Sequence, residues 1–172
     1  RNGDASFQDL VSKGYLAPAI LNYIALLGWS PETNQEIYTL EELTKAFSVK
    51  RISKSPAIFD IEKLKWMNGM YLRAMSLDEF HAICLPYYKD SIKRVCDLKE
   101  VSKILQQRLT ILSEIPEMVD FIDTLADYDV QMYYHPKMKT DNAVCILALE
   151  ESLKVYETIQ NWASVDELHQ KL

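Results

Sequence analysis

A chain of 172 residues, 48% hydrophobic and 26% charged, can bury one sizeable core or divide into two compact pieces. Its net charge of −6 taken alone argues against a nucleic-acid binder, because phosphate is met chiefly by lysine and arginine. The acidity is uneven: residues 1–75 hold nine Lys/Arg against eight Asp/Glu, and residues 76–172 hold ten against seventeen.

Four glycines and six prolines leave few helix breakers, so the pattern reads as mainly α. Helix starts are marked by Ser/Thr/Asp followed three residues later by Asp/Glu, at Ser6, Thr39, Ser76, Asp97 and Ser164. The first helix is expected from about Phe7 to Lys13 with Gly14 as its stop, and a second from Pro18 to Leu27, ending at Gly28. The second is too broadly apolar for a solvent helix and belongs in a core, with Trp29 beside it.

Residues 30–38 read as loop, Thr39 opens a short helix through Phe47, and residues 50–59 form an irregular, cation-bearing segment containing Pro56. Asp60 caps a helix with Ile61, Leu64, Met67 and Leu72 facing inward, leaving Lys63, Lys65, Asn68 and Arg73 for solvent or a partner. A hinge between stacked pieces is expected near Met75, since the next helix opens at once at Ser76. Helices follow at about 77–85, 98–114, 116–125, 142–162 and 165–172, the last without a stop signal, as if the native sequence continued.

Cys84, Cys96 and Cys145 form no CxxC pair, and each adjoins an apolar residue; they read as buried thiols of a reducing compartment. No stretch approaches the roughly 20 apolar residues that span a bilayer, and residues 1–10 lack an apolar signal core, so the expectation is a cytoplasmic protein without a membrane partner. His81, His135 and His169 stand on unrelated segments with no metal-ligand spacing.

The runs Gly14-Tyr15-Leu16-Ala17-Pro18-Ala19-Ile20-Leu21-Asn22-Tyr23-Ile24-Ala25-Leu26-Leu27-Gly28-Trp29-Ser30 and Phe59-Asp60-Ile61-Glu62-Lys63-Leu64-Lys65-Trp66-Met67-Asn68-Gly69-Met70-Tyr71-Leu72-Arg73 closely resemble bacterial-type glutamyl-tRNA synthetases. The intervening Ile37–Leu43 and Arg51–Asp60 follow the family pattern in order and spacing. Beyond Met75 the likeness rests on helix order and on Gln107-Arg108 through Leu112-Ser113-Glu114, similar to a helix of the family's anticodon-binding part.

The resemblance implies an elongated stack of helices without the Rossmann catalytic domain: a stem-contact domain over residues 1–75 and a C-terminally truncated anticodon-binding domain over residues 76–172. It implies a monomeric parent that uses ATP to attach glutamate to tRNA-Glu, and a fragment that holds no cofactor and is inactive alone. The HIGH-like and KMSKS-like motifs that hold ATP are not complete in this sequence, and residues 1–6 resemble the stretch that begins with the last basic residue of the second motif. Ile52-Ser53-Lys54-Ser55 imitates that motif but stands about fifty residues too late, and is rejected as an ATP site.

Under this reading Lys50, Arg51 and Lys54 follow the phosphates of the tRNA stem, while Ser53 and Ser55 either donate to phosphate or cap the following turn. Lys63 and Lys65 are free to meet RNA; Asn68 and Arg73 either meet it or brace the domain boundary. Trp66 and Tyr71 fill a core or stack on bases, and Met132-Tyr133-Tyr134-His135-Pro136-Lys137 covers neighbouring helices or stacks on an unpaired base. Arg108 occupies the position from which the family presents an arginine toward the anticodon, against the bland alternative of a solvated or ion-paired arginine. The rival classes are a non-catalytic interaction module derived from a synthetase and a helical scaffold without RNA affinity.

Overall fold

The computed structural model describes residues 6–54, 57–162 and 164–171, so the readings at residues 1–5, Ser55 and Pro56 lie outside the described residues. The described residues form α-helices and 3-10 turns with two isolated bridges and no strand. Two compact units divide the chain, the first ending at Leu125 and the second starting at Ala126.

The capping signals act as written. Helix α1 (Phe7–Ser12) opens with the Ser6 hydroxyl accepting from Asp9 N, and Gly14 follows it at φ 90°. The glycine is required twice over: a side chain is strained at that φ, and a Cβ there would lie 2.7 Å from Ser113 N. Helix α2 (Ala17–Gly28) buries Ala19, Ile20, Asn22 and Tyr23. Helix α3 (Leu40–Ala46) has the reciprocal box between Thr39 and Glu42, and those bonds from the Thr39 backbone and side chain hold the Glu42 carboxyl below its ordinary value. Helix α4 (Ile61–Ala74) is capped by Asp60, whose carboxylate accepts from Glu62 N and Lys63 N.

Leu64, Met67 and Leu72 of α4 are fully buried as expected, whereas Ile61, the first residue of the helix, lies at the surface. Leu64 and Met67 join Leu10, Tyr15, Ile20 and Tyr23 in one core, and Trp29, Tyr38 and Leu43 form a smaller one. The Tyr71 hydroxyl donates to Tyr38 O and stands 2.8 Å from Asn22 Oδ1, which also accepts from Tyr38 N at 2.9 Å. Burial drives the Tyr71 phenol up to about 12.

Helix α5 (Leu77–Ser91) corrects the expected stop at Leu85 by continuing through Pro86. Cys84 and Tyr88, on either side of the proline, are both in the second core, and their burial holds the helix together where one backbone donor is missing. That core adds Leu72, Phe80, Leu105, Leu109, Leu112, Ile115 and Val119. The expected 98–114 helix is two pieces: α6 (Leu98–Gln106) ends early, and a 3-10 turn at Leu112–Glu114 leads into α7 (Ile115–Val119). Residues 120–122 continue as a 3-10 turn rather than the predicted helix to Leu125. Of the cysteines only Cys84 is fully buried; Cys96 is exposed and Cys145 half-buried, the apolar neighbours having been a poor guide to burial.

In the second unit a 3-10 turn at Val130–Tyr133 precedes a loop closed by the His135–Thr140 bridge, with Lys139 at φ 55°. Helix α8 (Asn142–Glu157) is capped by Asp141, stops five residues before the predicted Trp162 and has no fully buried residue; α9 (Val165–Lys171) follows. No helix among the described residues is long and apolar enough to cross a membrane.

Candidate nucleic-acid interface

The sequence candidates in the first unit fall on two supported loops and one helix. The first loop contains a 3-10 turn at Val49–Arg51 and is pinned to the end of α2: Ser30 N donates to Arg51 O at 3.3 Å and Ser53 N to Gly28 O at 2.8 Å. Arg51 spends its guanidinium on that support. Its Nε donates to Ser30 O at 2.7 Å, its Nη2 to Pro31 O at 2.5 Å, and its Nη1 lies 3.4 Å from Glu32. A planar five-donor fork can tie two successive carbonyls in this way, where an ammonium cannot. Lys50, Ser53 and Lys54 are exposed on the same loop.

Along α4 the candidates separate. Asn68 is fully buried, correcting its expected exposure: Oδ1 accepts from Leu16 N at 2.8 Å and Nδ2 donates to Thr110 O at 2.6 Å. Lys63 pairs with Glu36, and Lys65 stands 3.7 Å from Glu114. Arg73 folds back so that its guanidinium lies against Gly69 and Met70. Of the two aromatics, Tyr71 belongs to the buried polar network described above, while Trp66 remains 44% exposed.

The second loop joins α6 to the 3-10 turn at Leu112. Arg108 is on its crest, not within a helix as expected, with its backbone N–H donating to Leu105 O at 2.9 Å and its side chain exposed. The Glu114 carboxylate organises the far side, accepting from Thr110 Oγ1 at 2.8 Å and from Ile111 N at 3.2 Å. Leu112 N reaches Gly14 O at 3.2 Å. Together with Glu62, Glu114 adds to burial in raising the Tyr15 phenol.

Three side chains outside the expected set emerge. Gln106, Glu114 and Glu36 read as ordinary surface positions in a linear sequence, because their partners are distant or lie across a turn. His81 Nδ1 stands 2.8 Å from Ser102 Oγ, but Ser102 is fully buried beneath Tyr88 and offers no accessible nucleophile. No group of three or more His, Cys, Asp or Glu among the described residues could hold a metal ion.

Comparison with known proteins gives two family matches: the anticodon binding domain over residues 79–172, and the catalytic domain of class I tRNA synthetases (E and Q) over residues 1–66. The chain is 52% identical over 162 residues to a glutamate-tRNA ligase of Clostridium botulinum, covering 94% of the chain and 33% of the relative. It is 57% identical to one from Clostridium tetani, over the same shares. A solved glutamate-tRNA ligase of Elizabethkingia meningosepticum, in complex with its amino acid, superposes with a TM-score of 0.76 at 23% identity, covering 97% of this chain and 33% of that one. The glutamate-tRNA synthetase of Elizabethkingia anophelis gives a TM-score of 0.63 at 25% identity, covering 97% of this chain and 32% of that one. The chain thus spans about a third of the length of the curated relatives it matches.

Proposed function

The chain belongs to the anticodon binding domain family, within the glutamate-tRNA ligases, and we propose that it is the tRNA-reading part of such a ligase. On this reading residues 1–75 contact the stem and residues 76–172 the anticodon side of tRNA-Glu. The whole protein, a monomer in the cytoplasm, uses ATP to activate glutamate and transfers it to the 3′ end of that tRNA. This chain's own residues perform recognition, not the chemical step.

The observation that carries the reading is the outward Arg108 on a turn held from beneath, within the segment that matches the anticodon binding domain. A guanidinium presented this way can stack on an unpaired base or bond its edge. Lys50 and Lys54, exposed on a loop that Arg51 keeps in shape, suit sequence-independent phosphate contact. Ser53 stands between them as a further donor to phosphate; Lys63, Lys65 and Arg73 line α4 with part of their charge already engaged by Glu36, Glu114 and Met70.

Titrating the chain with tRNA-Glu across a salt series tests this. Affinity should fall as salt rises, and the isolated chain should form no glutamyl-adenylate from glutamate and ATP. Binding that ignores salt, or adenylate made by the pure chain, would defeat the assignment.

A further inference from the structure

Gln106 and Thr110 bracket Arg108 at equal sequence distance, and both are tied to the α4 segment. Gln106, 8% exposed at the last position of α6, donates both amide hydrogens, to Leu72 O at 3.1 Å and Met75 O at 2.9 Å. Leu72 O also receives the cap N–H of Met75 at a long 3.4 Å, and the last carbonyls of a helix lack regular intrahelical donors, so one side-chain amide helps close the end of α4. Four residues further on, Thr110 O receives the Asn68 Nδ2 bond from the middle of the same helix. Arg108 lies between these two attachments, with Leu109 fully buried beneath it.

The stretch also crosses from one core to the other, since Leu105 and Leu109 belong to the second core and Ile111 to the first. Apolar side chains would fill the same spaces. Paired amides add direction, because a buried N–H left unpaired is costly and only one placement satisfies each.

We infer that Gln106 and Asn68 are positioning residues that lock the Arg108 turn to α4, so that Arg108 and the cations of the first 75 residues meet one RNA as a single rigid template. The joint at Met75, which in sequence reads as a hinge, is bridged by this lock. The inference rests on the tRNA reading above and deepens it: the anticodon-side contact depends on two amides that touch no RNA.

The experiment is a double-mutant cycle on the 172-residue chain with tRNA-Glu as probe. Gln106→Met keeps length and apolar bulk and removes both donors. Arg108→Ala should weaken wild-type binding about tenfold, and Gln106→Met chains about twofold or less, because an unlocked turn has already lost the contact. Leu10→Ala, which loosens a core without touching either amide, should lower stability and leave the Arg108→Ala cost at about tenfold. Where Gln106→Met does not fold, Asn68→Ser serves in its place with the same expectation. An equal cost of Arg108→Ala in the wild-type and unlocked chains overturns the lock and spares the tRNA reading. A wild-type chain with no salt-dependent affinity overturns the tRNA reading, and the lock's purpose with it.

Discussion

The loop at residues 48–54 and the turn at residues 106–110 solve one problem in different ways. In the first, a cation is itself the brace: Arg51 ties down the carbonyls of Ser30 and Pro31, and its neighbours Lys50 and Lys54 are left outward. In the second, neutral amides brace the turn from below and the arginine is what remains outward. Charge type therefore does not identify a contact residue; what each donor already bonds does. Two arginines that look alike in the sequence come apart into a support and a probe.

The largest effect is expected from Gly14→Ala, which attacks the support of the second turn. A Cβ would come within 2.7 Å of Ser113 N and 3.0 Å of Leu112 N, both backbone atoms, at φ 90°. We expect a loss of about 2–4 kcal/mol in denaturant unfolding, from strain and overpacking combined. A loss under about 0.5 kcal/mol, the range of an ordinary surface change, would show that this close approach has room to relax.

Arg108→Ala comes next and should act on binding alone, at about 1–3 kcal/mol, with the melting curve unmoved. Arg51→Ala should do the reverse in kind. Losing two hydrogen bonds from a charged donor at an exposed site should cost about 1 kcal/mol of stability, and Arg51→Lys should not restore it, lacking the fork. If Arg51→Ala leaves stability intact while abolishing salt-sensitive binding, the division into support and probe is wrong.

The same division explains what the sequence could and could not convey. Capping at Ser6, Thr39, Asp60, Ser76 and Asp97 is written within four residues of each helix start and forms as read. The break after Gln106 carries no glycine or proline. It arises because Leu109 and Ile111 are drawn into different cores and because α4 and Glu114 supply partners from a distance. Asn68 was legible as a residue that braces or binds, and only its neighbours decide that it braces. Pro86 misleads for the opposite reason: a local stop signal is outweighed by the burial of Cys84 and Tyr88.

Alkaline pH sharpens the picture at the buried network of Tyr71, Asn22 and Tyr38. The folded Tyr71 pKa, near 12, lies above its ordinary value of 10.0, with burial as the leading cause. The folded state therefore holds its proton more tightly than the unfolded chain. The stability this contributes is complete below pH 10 and is lost as pH climbs toward 12. Tyr71→Phe should flatten that part of the pH–stability curve while costing about 1 kcal/mol at neutral pH through its lost hydrogen bonds. An unchanged alkaline slope in the variant would mean that Tyr71 is not the group responsible.

Lys50→Ala and Lys54→Ala should have the smallest effects and the most specific form. Each is exposed on the braced loop, so stability should stay within about 0.5 kcal/mol of wild type. If each neutralises one phosphate, tRNA affinity should weaken uniformly across tRNA sequences, and the slope of log affinity against log salt should fall by about one per lysine. The pair Lys50→Ala with Lys54→Ala should be additive in slope, because the loop that presents them is held by Arg51 and not by either lysine. A drop that depends on tRNA sequence would instead make these lysines readers of bases, and the contrast with Arg108 would have to be redrawn.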